Sequence, residues 1–376
     1  MQKGENGRAV RQKMDELQKA RQEIDEVDKA MAELFCRRMK AAKSVAAYKG
    51  ARGLPILDSA REAEILERRS LLLEDETLRS FYVSFLRDTM AVSRRYQRYL
   101  LSGIRVAYAG TEGAFAHLAV RKLFPAATAV GCADFASAYR AAENGDCDLA
   151  LLPVENSFQG EVGAVTDLMF SGTLSLTGMT EMPITQDLLA KPGTCLAEIR
   201  TVISHPQALG QCAEYIRKHG LIAEEYANTA LAARVVASSG DRSLAAIASA
   251  EAAEIFGLEV LEKNIHTKNT NSTRFAVFSR AAHRPADGER GIHSVLLFTV
   301  PNHAGSLAHA IEIIGRHGFN MRTLRSRPMK ELFWQYYFYV EAEGNLYSPA
   351  GEALLADLSP CCDRLKIVGC YKKEEA

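Results

Sequence analysis

The chain has 376 residues, an apolar fraction of 47%, and 46 basic side chains balanced by 46 acidic ones. That length exceeds what one hydrophobic core organises and predicts two or three domains. A balanced charge with no basic block excludes nucleic acid and an anionic membrane as main partners, so charged ligands must be met by local groups.

The opening MQKGENGRAVRQK lacks the apolar core of a signal peptide, and no stretch approaches about 18 uninterrupted apolar residues. A cytoplasmic protein is expected. The eight cysteines and nine histidines are dispersed, with no Cys-x-x-Cys pair and no histidine at metal spacing. Idle thiols in a reducing compartment follow, and neither a metal nor a cofactor is expected.

Residues 14 to 102 carry only helical signals. Met14 to Lys49 holds neither proline nor glycine, and Met14, Leu17, Ile24, Val27, Met31, Leu34, Phe35, Ala42 and Val45 recur at three-four spacing. Arg21, Arg38 and Lys49 lie on the same seam. A buried cation needs a counter-charge, so the seam is either partly solvated or built to hold an anion. At 1.5 Å per residue Arg38 and Lys49 stand roughly 16 Å apart, whereas Arg21 is about 25 Å from Arg38. One helix cannot bring all three to one ligand; a second, antiparallel copy of the chain could supply Arg21. A homodimer or higher homo-oligomer with shared sites is the expectation.

A second helix starts at Asp58 or Ser59 with Arg61 and Glu62 in its first turn, where Glu62 could close a capping box with Ser59. A third, about Leu78 to Leu100, is expected to turn Leu78, Tyr82, Phe85, Thr89 and Tyr96 inward, with Ser93 and Gln97 on one face beside them. Arg21, Arg38, Lys49, Asp58, Arg61, Glu62, Ser93 and Gln97, in this order and with a Ser-Arg-x-x-Gln ending, resemble the all-helical chorismate mutases. The resemblance implies that Arg21 (from the partner chain) and Arg38 bind the carboxylates of chorismate, with Asp58, Arg61 and Ser93 nearby. It implies too that Lys49 and Gln97 donate to the ether oxygen and that Glu62 accepts from the ring hydroxyl.

Residues 103 to 281 alternate strand and helix, the pattern of an α/β domain. Gly110 and Gly113 precede a helix and could cradle an anion, but they do not form Gly-x-Gly-x-x-Gly, so a nicotinamide site is not expected. Polar groups cluster after strands, at Glu155-Asn156-Ser157, at Ser204-His205-Pro206-Gln207 with Gln211, and from Thr267 through Thr273 to Arg274. Ligands bind in such loops, although each alone is as readily a cap or a turn. Taken in order, with Gly160 and Thr273-Arg274-Phe275, they resemble prephenate dehydratases. Two α/β lobes around a cleft are implied, with Thr273 donating to the departing hydroxyl and Glu155 as the competing acid. Asn156, Ser204, Gln211 and Arg274 would position substrate.

After the turn-rich Ala281 to Gly291, residues 292 to 372 read β-α-β-β-α-β. The segment is similar to ACT regulatory domains, which are α+β and ferredoxin-like. The similarity implies phenylalanine as effector, bound near Gly305, Ser306 and Leu307 and near Ser326, Arg327 and Pro328. Arg325 stands where that family carries glutamate. The whole resembles a multidomain enzyme that converts chorismate to prephenate and prephenate onward to phenylpyruvate. A non-catalytic amino-acid sensor is the rival from another class.

Overall fold

In a computed structural model the chain is described over residues 2–267, 271–329 and 335–373, and over 2–15 as helical backbone only. The expected polar run therefore lacks 268–270, and the expected start of a strand at Phe333 lies outside the described residues. Two compact units emerge, Met1–Gly103 and Ile104–Ala376.

The first unit is three helices, α1 (Gln2–Ala51), α2 (Ser59–Ser70) and α3 (Glu76–Ser102). Asp58 caps α2 by accepting the Arg61 N–H at 3.0 Å, and Asp75 caps α3 through the N–H groups of Thr77 and Leu78. The expected capping box between Ser59 and Glu62 is not formed, because Asp58 takes the cap position and Ser59 is the first helical residue; the Glu62 carboxylate is engaged by Arg94. Where α1 and α3 pack, Ala42, Ala46, Leu86 and Met90 are buried. The inward stripe of α3 is thus Leu86, Met90, Ser93 and Gln97, one step round from the expected one; Leu78 and Phe85 are exposed. Among the described side chains of α1 the C-terminal end of the seam is covered, and Leu17, Ile24, Val27, Met31, Leu34 and Phe35 face solvent.

The second unit opens with β1 (Arg105–Ala109), α4 (Phe115–Leu123), β2 (Thr128–Cys132), α5 (Phe135–Glu143), β3 (Leu149–Asn156), β4 (Gly160–Glu161), α6 (Gly163–Ser171) and β5 (Ser175–Pro183). The chain then crosses into a second sheet. Its elements are β6 (Asp187–Ala190), β7 (Thr201–Ser204), α7 (Pro206–Gln211), α8 (Ala213–Lys218), β8 (Ile222–Glu225), α9 (Thr229–Ser238), β9 (Leu244–Ala248), α10 (Ala250–Phe256) and β10 (Glu259–Glu262), with strand order β10-β6-β9-β7-β8. It returns through β11 (Ser272–Ser279), which slots antiparallel between β3 and β5. Two sheets joined by two crossings leave a cleft where β3 and α7 end and β11 begins.

The rest of the chain is β12 (Ile292–Thr299), α11 (Ser306–Arg316), β13 (Asn320–Pro328), β14 (Tyr336–Glu343), α12 (Pro349–Leu358) and β15 (Arg364–Lys372). These strands do not stand off as a compact unit. They extend the first sheet to the order β13-β14-β12-β15-β5-β11-β3-β1-β2, because β15 runs parallel to β5 with Gly369 opposite Leu176. The approach requires glycine: a Cβ on Gly369 would sit 2.0 Å from the Leu176 carbonyl oxygen, and φ there is 156°. Lys366 and Arg364 brace the seam by donating to the Met169 and Phe170 carbonyls at the C-terminal end of α6, at 2.6 and 3.0 Å. Among the described residues no helix is long and apolar enough to cross a membrane.

Candidate active sites

In the helical unit, α1, α2 and α3 enclose a cavity of about 310 Å3 lined by Arg38, Lys49, Asp58, Arg61, Glu62, Ser93 and Gln97, together with Arg94 and apolar groups. Seven of the eight residues expected in this site therefore meet; Arg21 is exposed farther up α1 and does not line it. The Arg38 Nε donates to Ser93 Oγ at 3.1 Å, and Lys49 Nζ donates to the Ile56 carbonyl at 2.6 Å. Arg61 is bridged to Glu64, and Arg94 to Glu62. Four cations thus face two carboxylates, Asp58 and Glu62, around the cavity. Burial, and to a lesser degree the charge of Arg69, push the Arg38 pKa below its ordinary value, and an anionic ligand would oppose both. Gln97 is buried beside the cavity with its Oε1 unpartnered.

In the α/β unit a second cavity, about 270 Å3, lies between the two sheets. Asn156 and Thr273 from the first sheet and Gln211 from α7 line it, with Gln186, His205, Gln207, Asn228, Thr229 and Asn271. Strand β3 runs on through Asn156, so what reads as a loop from Val154 is strand as far as that residue. Asn156 Nδ2 donates to Thr273 Oγ1 at 3.0 Å, which occupies the oxygen and leaves the hydroxyl hydrogen for a ligand. No lysine or arginine occurs among the described lining residues. Helix α4 begins at the cavity with Ala114, which offers no side-chain cap, so first-turn N–H groups remain there for an anion. Of the earlier glycines, Gly113 has its N–H directed to His117 Nδ1 and Gly110 to the Cys132 carbonyl; neither forms an anion cradle.

Three residues expected in this site lie elsewhere. Ser204 is wholly buried and donates to the Ile247 carbonyl at 2.6 Å, a bond that ties β7 to β9. Glu155 and Arg274 sit one residue from Asn156 and Thr273, and strand alternation turns them away from the cleft. Arg274 donates to Glu341 Oε1 at 2.8 Å, to Tyr371 at 3.2 Å and to Glu155 at 3.3 Å; Arg325 also pairs with Glu155. Burial opposes the Arg274 charge, but the Glu341 carboxylate outweighs it and raises the pKa. Burial likewise opposes the Glu341 charge, and the bonds from Arg274 and Tyr371 still hold its pKa below the usual carboxylate value. A β-strand of the cleft is thereby fastened to β14 and β15.

The expected effector residues are also divided. Ser326, Arg327 and Pro328 belong to strand β13 rather than to a loop, and Arg327 bonds to Asp167 on α6, with Glu161 close by. Gly305 is the left-handed N-cap of α11, and Ser306 is its first residue. Leu307 alone of the six lines a cavity of about 190 Å3 bounded by Val300, His303, Tyr336 and Phe338.

Sequence reasoning missed Arg94, Gln186, His205, Gln207, Asn228, Thr229 and Asn271. Arg94, His205, Gln207 and Asn271 stood inside motifs already noticed. Asn228-Thr229 before an apolar helical run is an N-cap signal, and Asn228 does cap α9. Nothing local marks Gln186.

The helical unit with its cation-lined cavity and the α/β unit with its amide-lined cleft are two enzymatic modules on one chain, the first of chorismate mutase type and the second of prephenate dehydratase type. Residues 20–98 match the chorismate mutase type II family, and residues 106–283 match the prephenate dehydratase family. The bifunctional chorismate mutase/prephenate dehydratase of Enterobacter agglomerans is 31% identical over 91% of this chain and 92% of its own. Two solved structures align with 72% of the chain: a protein titled "GqqA- a novel type of quorum quenching acylases" (34% identity, TM-score 0.67, 98% of that chain) and prephenate dehydratase from Arthrobacter aurescens in complex with L-Phe (27%, TM-score 0.66, 90%). The chain belongs to the bifunctional chorismate mutase/prephenate dehydratase family.

Proposed function

We propose that the chain converts chorismate to prephenate in the cavity of the helical unit and prephenate to phenylpyruvate in the cleft of the α/β unit, two steps of phenylalanine biosynthesis. The rearrangement of chorismate is unimolecular, so the protein has only to hold a compact dianion and stabilise charge at the ether oxygen. Arg38 holds a carboxylate, with Arg61 supporting. Lys49 and Gln97 donate to the ether oxygen, Glu62 accepts from the ring hydroxyl, and Asp58 and Ser93 fix α2 and Arg38. The excess of cations around this cavity supports the assignment.

Arg21 enters from a second copy of the chain. The uncovered stripe of α1, from Leu17 to Phe35, supports a homodimer, since apolar surface of that extent belongs against a partner. A monomer by light scattering that keeps mutase activity would sink the shared site.

In the second reaction one carboxylate leaves as carbon dioxide, and the ring hydroxyl leaves as water once it gains a proton. Thr273 donates to that hydroxyl, and Asn156 and Gln211 hold the substrate. The bonds that commit Glu155 to Arg274 and Arg325 favour Thr273 over Glu155 as donor. Among the described residues the lining donors are neutral, which suits the step: a carboxylate about to lose its charge gains less from a guanidinium in the transition state than in the ground state. Neutral donors hold it without that penalty.

Residues 292–372 act as a ferredoxin-like ACT domain that binds phenylalanine and lowers the dehydratase rate. The βαββαβ order, the strand order β13-β14-β12-β15 and the L-Phe complex of the A. aurescens structure support this. The fastening of Arg274 to Glu341 offers the route. The deciding experiment is the product profile from chorismate, with and without phenylalanine and with no added cofactor. Phenylpyruvate that declines on adding phenylalanine is expected; accumulated prephenate would remove the second assignment, and untouched chorismate both.

A further inference from the structure

Three amide side chains in the cleft have orientations that determine one another. The backbone N–H groups of Phe158 and Gln159 both donate to Asn156 Oδ1, at 3.0 and 3.1 Å. A nitrogen in that place would meet two donors, so this end of the Asn156 amide is oxygen. Its Nδ2 therefore faces Asn271 Oδ1 at 2.9 Å. The Asn271 nitrogen then points the other way and donates to Gln211 Oε1 at 3.2 Å, where Gln186 Nε2 also converges at 3.4 Å. Turning Gln211 over would set its N–H2 against the Asn271 donor. Asn271 is 5% exposed and Gln186 3%, so water is poorly placed to repair a reversed amide.

We infer that Asn271 is a positioning residue of the dehydratase cleft, which relays the orientation set by the Phe158 and Gln159 backbone to Gln211. Gln211 then keeps its amide N–H2 as the end not used by these bonds, so that it and the Thr273 hydroxyl both offer hydrogens to substrate. The inference rests on the reading of this cleft as the dehydratase site. Its chemical sense follows from the substrate, whose carboxylates only accept hydrogen bonds: a reversed Gln211 would set lone pairs against a carboxylate. Asn271 also spans the two sheets, since Asn156 ends β3 and Gln211 ends α7. The same two bonds therefore fix the separation of the donors.

The test is Asn271→Asp, which keeps the shape and the acceptor for Asn156 but replaces the donor to Gln211 with an acceptor. With prephenate supplied at pH 8, dehydratase kcat/KM is expected to fall about 10–100-fold, chiefly through KM, as befits a lost hydrogen bond to a charged group. The loss should shrink as pH falls through the pKa of the introduced carboxyl, because its protonated form again has a hydrogen to give Gln211. Mutase turnover should match the parent throughout. A loss that does not depend on pH, with or without a lower Tm, would mean that Asn271 only supports the fold and would overturn the inference; so would parental activity. Gln211→Leu separates this from the underlying reading. If Gln211→Leu leaves prephenate turnover intact, the cleft assignment itself fails; if Gln211→Leu is impaired while Asn271→Asp is not, the relay alone fails.

Discussion

The cavity of the helical unit and the cleft of the α/β unit are assigned isomeric dianions, yet their described residues line them in opposite ways. Four cations and two carboxylates surround the first; the described lining of the second holds amides, two threonine hydroxyls, an imidazole and helix N-termini, with Arg274 turned to the far side of its strand. The difference follows what each reaction does with charge. Chorismate keeps both carboxylates through the rearrangement, so cations that grip them in the ground state still grip them at the barrier. Prephenate surrenders one, and there a strong grip would oppose the step. Matching the charge of a substrate is thus a poor guide to a site unless one asks which charge survives.

The comparison breaks most readily at Thr273. Thr273→Ala is expected to lower prephenate turnover by about 10²–10⁴-fold, the range for loss of a positioned proton or hydrogen-bond donor, and to leave mutase turnover intact. Assay of each half-reaction with its own substrate would show it, and undiminished dehydratase activity would return the role to Glu155. The reciprocal change, Lys49→Ala, should cost the mutase about 10²–10³-fold with no effect on supplied prephenate.

A smaller effect is expected from Glu341→Gln, which loosens the fastening of β11 to β14. Glu341 is nearly buried, but Arg274 is 26% exposed, so about 2 kcal/mol of stability is at stake rather than the full penalty of a buried broken pair. Because the folded Glu341 pKa lies below the ordinary 4.5, its contribution is complete above about that pH and is lost as pH falls through the folded value. Acid denaturation of the parent should therefore be steeper below pH 4.5 than that of Glu341→Gln, which lacks the titrating group. Equal slopes would show that the pair contributes nothing. The gentlest test is salt. Raising ionic strength from 0.01 to 0.15 M shortens the Debye length from about 30 to 8 Å, which should raise the KM for chorismate a few-fold more than that for prephenate. Parallel rises would erase the contrast.

Much of this was legible beforehand, for reasons that particular residues show. The helical cavity was read almost entire because i, i+3 and i, i+4 spacings place Arg38 and Lys49, or Ser93 and Gln97, on one face of their own helix. The cleft was read less well. Motif adjacency put Glu155 with Asn156 and Arg274 with Thr273, although a strand sends neighbours to opposite faces, and that alternation was available from the sequence. Ser204 was misplaced for a related reason: at the end of β7 its hydroxyl serves the next strand. Gln186 was out of reach, and Asn271 could be seen only as one member of a polar run, since their meaning lies in bonds to residues 25 and 115 positions away along the chain. In the C-terminal strands, Arg325 could only be seen as a reversed charge, because its counter-charge, Glu155, lies 170 residues earlier.

The seam at Gly369 bears on how the chain can be divided. A protein cut after Gly291 would lose β15, and β5 would become an open sheet margin, with Leu176 and Met179 no longer covered from that side. Exposed margins of this kind recruit other chains. The dehydratase region prepared alone should therefore self-associate unless a second molecule, or an added strand, closes it. The C-terminal strands would then serve as a lid on the sheet's hydrogen bonding as much as a sensor, and enzymes shortened at this point would be limited by solubility before chemistry.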